Sequence, residues 1–412
     1  MRGQFHDIRV RYFFLRQQSF FWIAQRACYR VCLLFFGVCL LPISALLHFL
    51  SFRHARIVID RIGHLALEPD CIIKERLLGH ISSHRFFITC AAGSAANDYL
   101  LDKWKSHFIV VTNPVYCFLI TSLSELGLMR LQVRHYARRN DGAHGAFRVF
   151  SEWGVREPVL TCSEAERLEL FEHLGMPRDA WYVCVHHRDG TYLPGDEGVQ
   201  SYRNASPETL VGAIEVVLKR GGWVVRVGDS KATPMPIKHE RFLDYAVSLQ
   251  KSPKIDVLLM AFPRFVLGST SGITVLASVF GVPCAIANAL PYGGGWYGSK
   301  DLVLPKILRD AKTGRVLAAR EIFARGTSTY RFAEQYDQAG VLIEENSAED
   351  IEALTYEMFS SLAPEIGHSQ RGGDNFTERF FSVRDCGHGS QARYFIEPLL
   401  KRGVLEPGEL DR

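Results

Sequence analysis

Apolar positions along the chain fall into two alternating spacings. Short runs of β-forming residues occur at Arg56–Asp60, Arg85–Cys90, Phe108–Val111, Trp181–Val185, Trp223–Val227, Phe265–Leu267, Ala285–Ala287 and Gly340–Ile343. Between them lie stretches with helical spacing: Leu65–Leu78, Asn97–Trp104, Val115–Leu126, Ser163–Leu174, Pro207–Lys219, Ile255–Ala261, Ile273–Phe280 and Ser347–Ser361. Several carry start and stop signals. Ser163 with Glu166 forms a capping box, and Gly175-Met-Pro177, Gly221-Gly222 and Gly281-Val-Pro283 end their helices. Strand alternating with helix predicts α/β architecture, with parallel sheets covered on both faces and ligands at the carboxyl ends of strands. The pattern dissolves over Gln132–Pro158, which reads as a long loop, and a domain boundary is placed near Pro177.

The N-terminal 54 residues follow neither spacing. Cys32–Phe52 holds no formal charge and is long enough to cross a hydrocarbon core, while Phe13–Ala27 mixes aromatic residues with Arg16 and Arg26 in the manner of an interfacial helix. An apolar core helix is the alternative. A cleaved signal peptide is not expected, since no small-residue cleavage site accompanies the run. Arg2, Arg9, Arg11, Arg16, Arg26 and Arg30 precede it against Arg53 and Arg56 after it, which for a simple span would export the rest of the chain. Pro42 in the middle can bend the run back, so a re-entrant or interfacial anchor is expected, with the globular part on the cytoplasmic side.

Composition narrows the function. Net charge is +4 on 48 basic and 44 acidic residues, so no strong field points to nucleic acid. Ten cysteines without C-x-x-C pairs suit small buried hydrophobes in a reducing compartment, implying neither disulfides nor zinc. No D-x-D occurs, and no metal or other cofactor is expected.

Polar clusters sit where the predicted strands end. Asp60-Arg-Ile-Gly-His64 follows the first, with Gly63 permitting close approach and His64 at the rim; a turn glycine beside a solvated histidine is the plainer reading. His186-His-Arg-Asp189 and then Ser201-Tyr-Arg-Asn204 follow the fourth strand, and Arg226, Gly228 and Asp229 end the next. Gly268-Ser-Thr-Ser-Gly272 joins a strand to a helix. That turn either caps its helix through Thr270 or Ser271, or offers backbone N–H groups and a positive helix end to a phosphate. Arg188, Arg203 and Arg226 either join it around a pyrophosphate or pair with Asp189, Asp229 or Asp256 in a structural network.

Taken in order, Asp60-Arg-Ile-Gly-His-Leu65, His186-His-Arg-Asp189, Ser201-Tyr-Arg-Asn204, Arg226-Val-Gly228, Gly268-Ser-Thr-Ser-Gly272 and Glu345-Asn-Ser-Ala-Glu349 resemble motifs of glycosyltransferases encoded in bacterial surface-polysaccharide loci. The resemblance covers roughly residues 56–360. It implies a GT-B-like fold, two Rossmann-like domains facing a cleft: an acceptor domain over 55–176 and a nucleotide-sugar donor domain over 177–365, flanked by the 1–54 membrane-associating segment and a helical tail over 366–412. His186-His-Arg-Asp189 is also similar to the H-x-R motif of fucosyltransferases, whose arginine contacts donor phosphates; Asp189 directly after Arg188 departs from that motif. Gly63-His64 looks like the glycine-histidine of inverting GT-B enzymes. The roles implied are catalysis by His64, with Asp60 or Glu68 as partner or substitute, and an acceptor-side loop at Arg61 and Gly63. Donor binding is expected from His186, Arg188, Asp189, Tyr202, Arg203, Asn204, Arg226, Gly228, Ser269, Thr270, Ser271 and Gly272. The partners are a nucleotide sugar, a glycan or polyprenyl-linked acceptor and the membrane. A nucleotide-sugar epimerase or hydrolase of the same fold, or a non-catalytic carbohydrate-assembly protein, is the alternative.

Overall fold

The computed structural model describes residues 20–362, apart from 83, 132–141, 191–194, 196, 293–297 and 299, together with 393–394. The chain opens with helices α1 (Phe20–Cys39) and α2 (Leu41–Phe49), strand β1 (Phe52–Ala55), helix α3 (Ile62–Leu77), strands β2 (Arg85–Thr89) and β3 (Ile109–Val111), helix α4 (Pro114–Leu123) and strand β4 (Arg130–Leu131). Strands β5 (Tyr182–His186), β6 (Trp223–Arg226), β7 (Phe242–Leu243) and β8 (Val266–Gly268) follow, then helix α5 (Gly272–Val279) and strands β9 (Cys284–Ala289), β10 (Leu302–Pro305), β11 (Ile307–Asp310), β12 (Val341–Glu344) and β13 (Arg393–Tyr394).

Two compact units result, one from residues 1–56, 83–95 and 105–132, the other from 57–82, 96–104 and 133–412. The smaller unit holds a four-stranded parallel sheet in the order β3-β2-β1-β4. The larger holds a seven-stranded parallel sheet, β13-β10-β9-β8-β5-β6-β7, and an antiparallel pair, β11-β12. Every residue of β5, β8, β9 and β10 is buried, which is why these strands read as unbroken apolar runs. The mixed α/β class with parallel sheets is as expected.

Two elements depart from the sequence reading, the first strand and a helix within the stretch read as a loop. The first strand is Phe52–Ala55, with Arg56–Arg61 leading irregularly into α3. Arg53 and His54 disguise it: the His54 imidazole is buried and bonds Ser124 Oγ at 2.8 Å and Thr89 Oγ1 at 3.0 Å. As expected from Pro42, the apolar run Cys32–Phe52 does not continue as one helix. It divides at Leu40, since Pro42 has no N–H for Val38, and Ser51 turns the chain at φ 62° into β1. Within the stretch read as a loop, Gly142–Trp153 is a helix that buries Ala146, Val149 and Phe150. The helical tail from residue 366 lies outside the described residues, save Arg393–Tyr394, which pair with β10 as a strand.

Candidate active site

Strand order in the seven-stranded sheet reverses at β5: β6 and β7 lie to one side of it, β8, β9 and β10 to the other. In open α/β sheets such a reversal leaves a crevice at the carboxyl ends of the two strands that flank it. Those strands are β5 and β8, in register His186 with Gly268, so His186–Asp189 and Ser269–Gly272 leave the sheet side by side.

Helix α5 begins there. Ser271 occupies its N-cap position with extended backbone, yet its side chain makes no capping hydrogen bond. Nor does Thr270 cap: its Oγ1 accepts from Leu290 N at 3.3 Å, after β9. Ser269 Oγ accepts from Arg188 N at 3.1 Å, and Ser269 O accepts from Thr274 Oγ1 at 2.9 Å. The small residues therefore tie the turn to neighbouring strand ends and leave the start of the helix uncapped by side chains. A helix start of this kind accepts an anion.

The ties extend into a ring. Arg188 Nη1 donates to Asn204 Oδ1 and to Gln200 O (3.2 Å), and Asn204 Nδ2 donates to Glu197 Oε1 at 2.6 Å. Asn204 O accepts from Lys306 Nζ, and Lys306 N donates to Ala289 O at 3.2 Å, one residue before Leu290 and its bond to Thr270. Lys306 is buried, which lowers its pKa; Glu345 at 3.8 Å opposes that shift. Beyond Glu345, Asn346 and Asn288 exchange hydrogen bonds between side chain and backbone (2.6 and 2.8 Å). Sequence reasoning missed Lys306, although a charged residue ending the apolar run Leu302–Pro305 is the same signal that singled out Arg226.

Helix α3 adds the second half. Its first turn meets that of α5 backbone to backbone: a Cβ on Gly63 would lie 2.7 Å from Gly272 Cα, and one on Gly272 would lie 2.9 Å from Gly63 N. Arg61, at the N-cap of α3, makes no side-chain capping bond. Two positive helix ends thus abut, an arrangement that an anion in front of them relieves. Next to Gly63, His64 Nδ1 bonds Glu68 Oε1 at 2.9 Å, one helical turn on. Glu68 is 1% exposed, and its other oxygen accepts from Val58 N at 2.8 Å. Such a buried, doubly bonded carboxylate holds the imidazole with Nδ1 protonated and Nε2 as the acceptor. Asp60 is exposed, two residues ahead of the helix.

Several of the other residues expected to bind the donor lie deeper in the fold. Arg226 is 1% exposed; its Nη1 donates to both Asp244 oxygens at 3.0 Å and to Thr233 O at 2.9 Å. It is locked into the interior by a partner outside the three aspartates considered from sequence. Tyr202 is buried with its ring 5.3 Å from that of Tyr336. Gly228 O accepts from Lys251 Nζ at 3.0 Å. His186 is buried with Nδ1 on Val227 O at 3.1 Å, and burial lowers its pKa to about 4, so it is neutral near pH 7. Its Nε2 and the Arg203 Nε are buried without a hydrogen-bond partner among the described residues. His187 lies 3.8 Å from Asp189, its pKa lowered by burial and then by Arg226. Among the described residues, no group of three or more His, Cys, Asp or Glu is placed to hold a metal ion.

No protein-family model matches the chain, and no curated protein matches it in sequence. Among solved structures it is similar to a glycosyl transferase family 9 protein from Veillonella parvula DSM 2008, at 12% identity and a TM-score of 0.31 over 72% of this chain and 79% of that one. It is similar to the iron-containing dodecameric glycosyltransferase TibC from enterotoxigenic E. coli H10407 at 14% identity and a TM-score of 0.35, over 60% and 61% of the two chains. For the E. coli ADP-heptose lps heptosyltransferase II the values are 10% and 0.35, over 57% and 84%. Superposition this loose transfers no residue roles.

Proposed function

We propose that the protein is a GT-B-like, metal-independent glycosyltransferase of surface-polysaccharide biosynthesis. It takes a sugar from a nucleotide diphosphate donor to a glycan or polyprenyl-linked acceptor at the cytoplasmic face of the inner membrane. The observation that carries this reading is the uncapped start of α5 at the sheet's switch point, tied to Arg188 on one side and abutting the His64–Glu68 helix on the other.

The chemistry follows from those groups. As the bond to the sugar breaks, negative charge grows on the diphosphate. The α5 N–H groups and the Arg188 guanidinium meet it without reorganising, because Asn204 and Ser269 already fix the arginine. Lys306 supplies a further cation in the same ring. The acceptor hydroxyl gives its proton to His64 Nε2, and Glu68 stabilises the imidazolium that forms.

The test is a thermal-shift screen of the purified protein with UDP, GDP, CDP and ADP. One of the four is expected to raise Tm, with about 2.7 kcal/mol of stabilisation at a hundred-fold excess over Kd. Arg188→Ala should lose the shift. His64→Ala should keep it while lowering kcat by roughly 10²- to 10⁴-fold. If no nucleotide shifts the wild type, the donor site is refuted; full activity in His64→Ala would refute the base.

A further inference from the structure

We infer that the smaller unit is an in-plane membrane module: α1, α2 and α4 lie along one leaflet, and anionic lipid covers their outer faces. The inference rests on the membrane-associated reading above and adds the mode of insertion and the lipid charge.

One stripe of the two N-terminal helices faces inward. Leu33, Gly37 and Ser44 are buried and Leu40 and Leu47 half-buried, a spacing of four and three that runs straight through the break at Leu40. The stripe is fastened to the unit's own α4 and its flank. A Cβ on Gly37 would lie 3.0 Å from Ser122 O, Ser44 Oγ donates to Leu123 O at 2.7 Å, and His48 Nδ1 meets Leu128 O. The rings of Tyr29 and Phe36 pack edge-on against Phe118. Fastening from Tyr29 to His48 leaves no stretch of α1 and α2 free to cross a bilayer unless α4 and the sheet edge beside it go too. That would carry Arg53, Arg56 and Glu125 into hydrocarbon, at a cost that in-plane insertion avoids. Arg26, stacked 4.4 Å over Trp22, and Arg30, 3.9 Å from Glu125, suit a headgroup region rather than the middle of a span.

The remaining faces are apolar and open. Phe20 (86%), Phe49 (83%), Val31, Phe35, Val38 and Leu46 are exposed, far more than a soluble monomer leaves uncovered. Helix α4 adds Val115 (64%) and Tyr116 from a distant part of the sequence, so the surface belongs to the folded unit and not to an N-terminal appendage. Between α1 and α4 runs an open groove of about 580 Å³, lined by Ala24, Cys28, Cys32, Phe36 and Phe118, with almost no polar surface.

Charge selects the occupant. Among the described residues, the smaller unit holds seven Lys and Arg but one acidic residue, Glu125, so it is strongly positive. A second copy would set like charge against like on this face. Anionic headgroups complement it, at about a five-fold gain in affinity per arginine near the surface.

The experiment uses the full-length protein with vesicles of phosphatidylcholine alone or mixed with phosphatidylglycerol. Of the exposed α1 cysteines Cys28, Cys32 and Cys39, variants keep either Cys28 or Cys39 to carry a fluorophore, and lipid-borne quenchers report its depth. In-plane insertion places both labels at one depth. A span separates them by about 16 Å, eleven residues at 1.5 Å each. Val115→Glu should abolish binding with the fold intact by circular dichroism. Arg26→Gln should weaken binding about five-fold on the anionic vesicles only. Unequal depths together with an indifferent Val115→Glu would overturn the inference and leave membrane association standing. A wild type that binds neither vesicle would remove both.

Discussion

Arg188 and Arg226 look alike in sequence, each at or just after the end of a predicted strand, and the fold gives them different surroundings. Arg226 still belongs to β6, whose last three residues are buried, so its guanidinium points into the protein and needs Asp244 as a partner. Arg188 lies two residues beyond β5, where the chain has left the sheet, and is half-buried against Asn204. Arg226→Gln strands the Asp244 carboxylate and should cost about 3–5 kcal/mol in urea unfolding, with nucleotide affinity unchanged. A variant of full stability with weakened nucleotide binding would return Arg226 to the donor site. Strand-end position was legible in the sequence; which side of the last strand residue each guanidinium takes was not, since that depends on Asp244 from another element.

At the scale of elements, the site depends on two helices starting at one point. Residues Gly63 and Gly272 have no side chain between them, which lets α3 and α5 touch by backbone and brings His64 beside the turn Ser269–Gly272. Either Gly63→Ala or Gly272→Ala pushes a methyl group into backbone and should destabilise by about 1–3 kcal/mol. Once one methyl group has separated the helices, the second costs little, so the double variant should fall short of the sum of the singles; a double-mutant cycle by chemical denaturation measures this. Strict additivity would mean that the helices do not meet there. Each glycine stood out locally as a turn or close-approach residue. Nothing in the sequence said that they approach each other, because contact between residues so far apart is set by how α3 packs on α5.

For the whole molecule, stability should depend on pH through its buried histidines, chiefly His54 in the smaller unit and His186 in the larger. Burial lowers the pKa of His186 to about 4 and, with Arg56 and Arg130 nearby, that of His54 to about 3. Both lie below the usual value near 6.5, so between about pH 6.5 and 4 the unfolded chain binds protons that the folded chain refuses. Folding stability is full above that range and falls as pH drops through it, by up to about 1.4 kcal/mol per pH unit for each histidine. Urea midpoints measured from pH 7.5 to 4.5 should fall accordingly, and His186→Gln and His54→Gln should each flatten the curve. An unchanged slope in both variants would sink the assignment.

By itself, the sequence determined the alternation of strand and helix, the buried parallel strands and the anomalous N-terminus. Those follow from periodicity and local signals, which act over a few residues. It also marked the turn Gly268–Gly272 while leaving two readings of it. Tertiary structure removed the side-chain cap from them: Thr270 bonds Leu290 and Ser271 caps nothing. It also moved the first strand to Phe52–Ala55, because the polar His54 is satisfied only once Ser124 and Thr89 stand on either side of it. Arg226 went to the interior and Lys306 into the ring for the same reason. A polar side chain's role depends on which distant groups complete its hydrogen bonds, and only the folded chain brings them together.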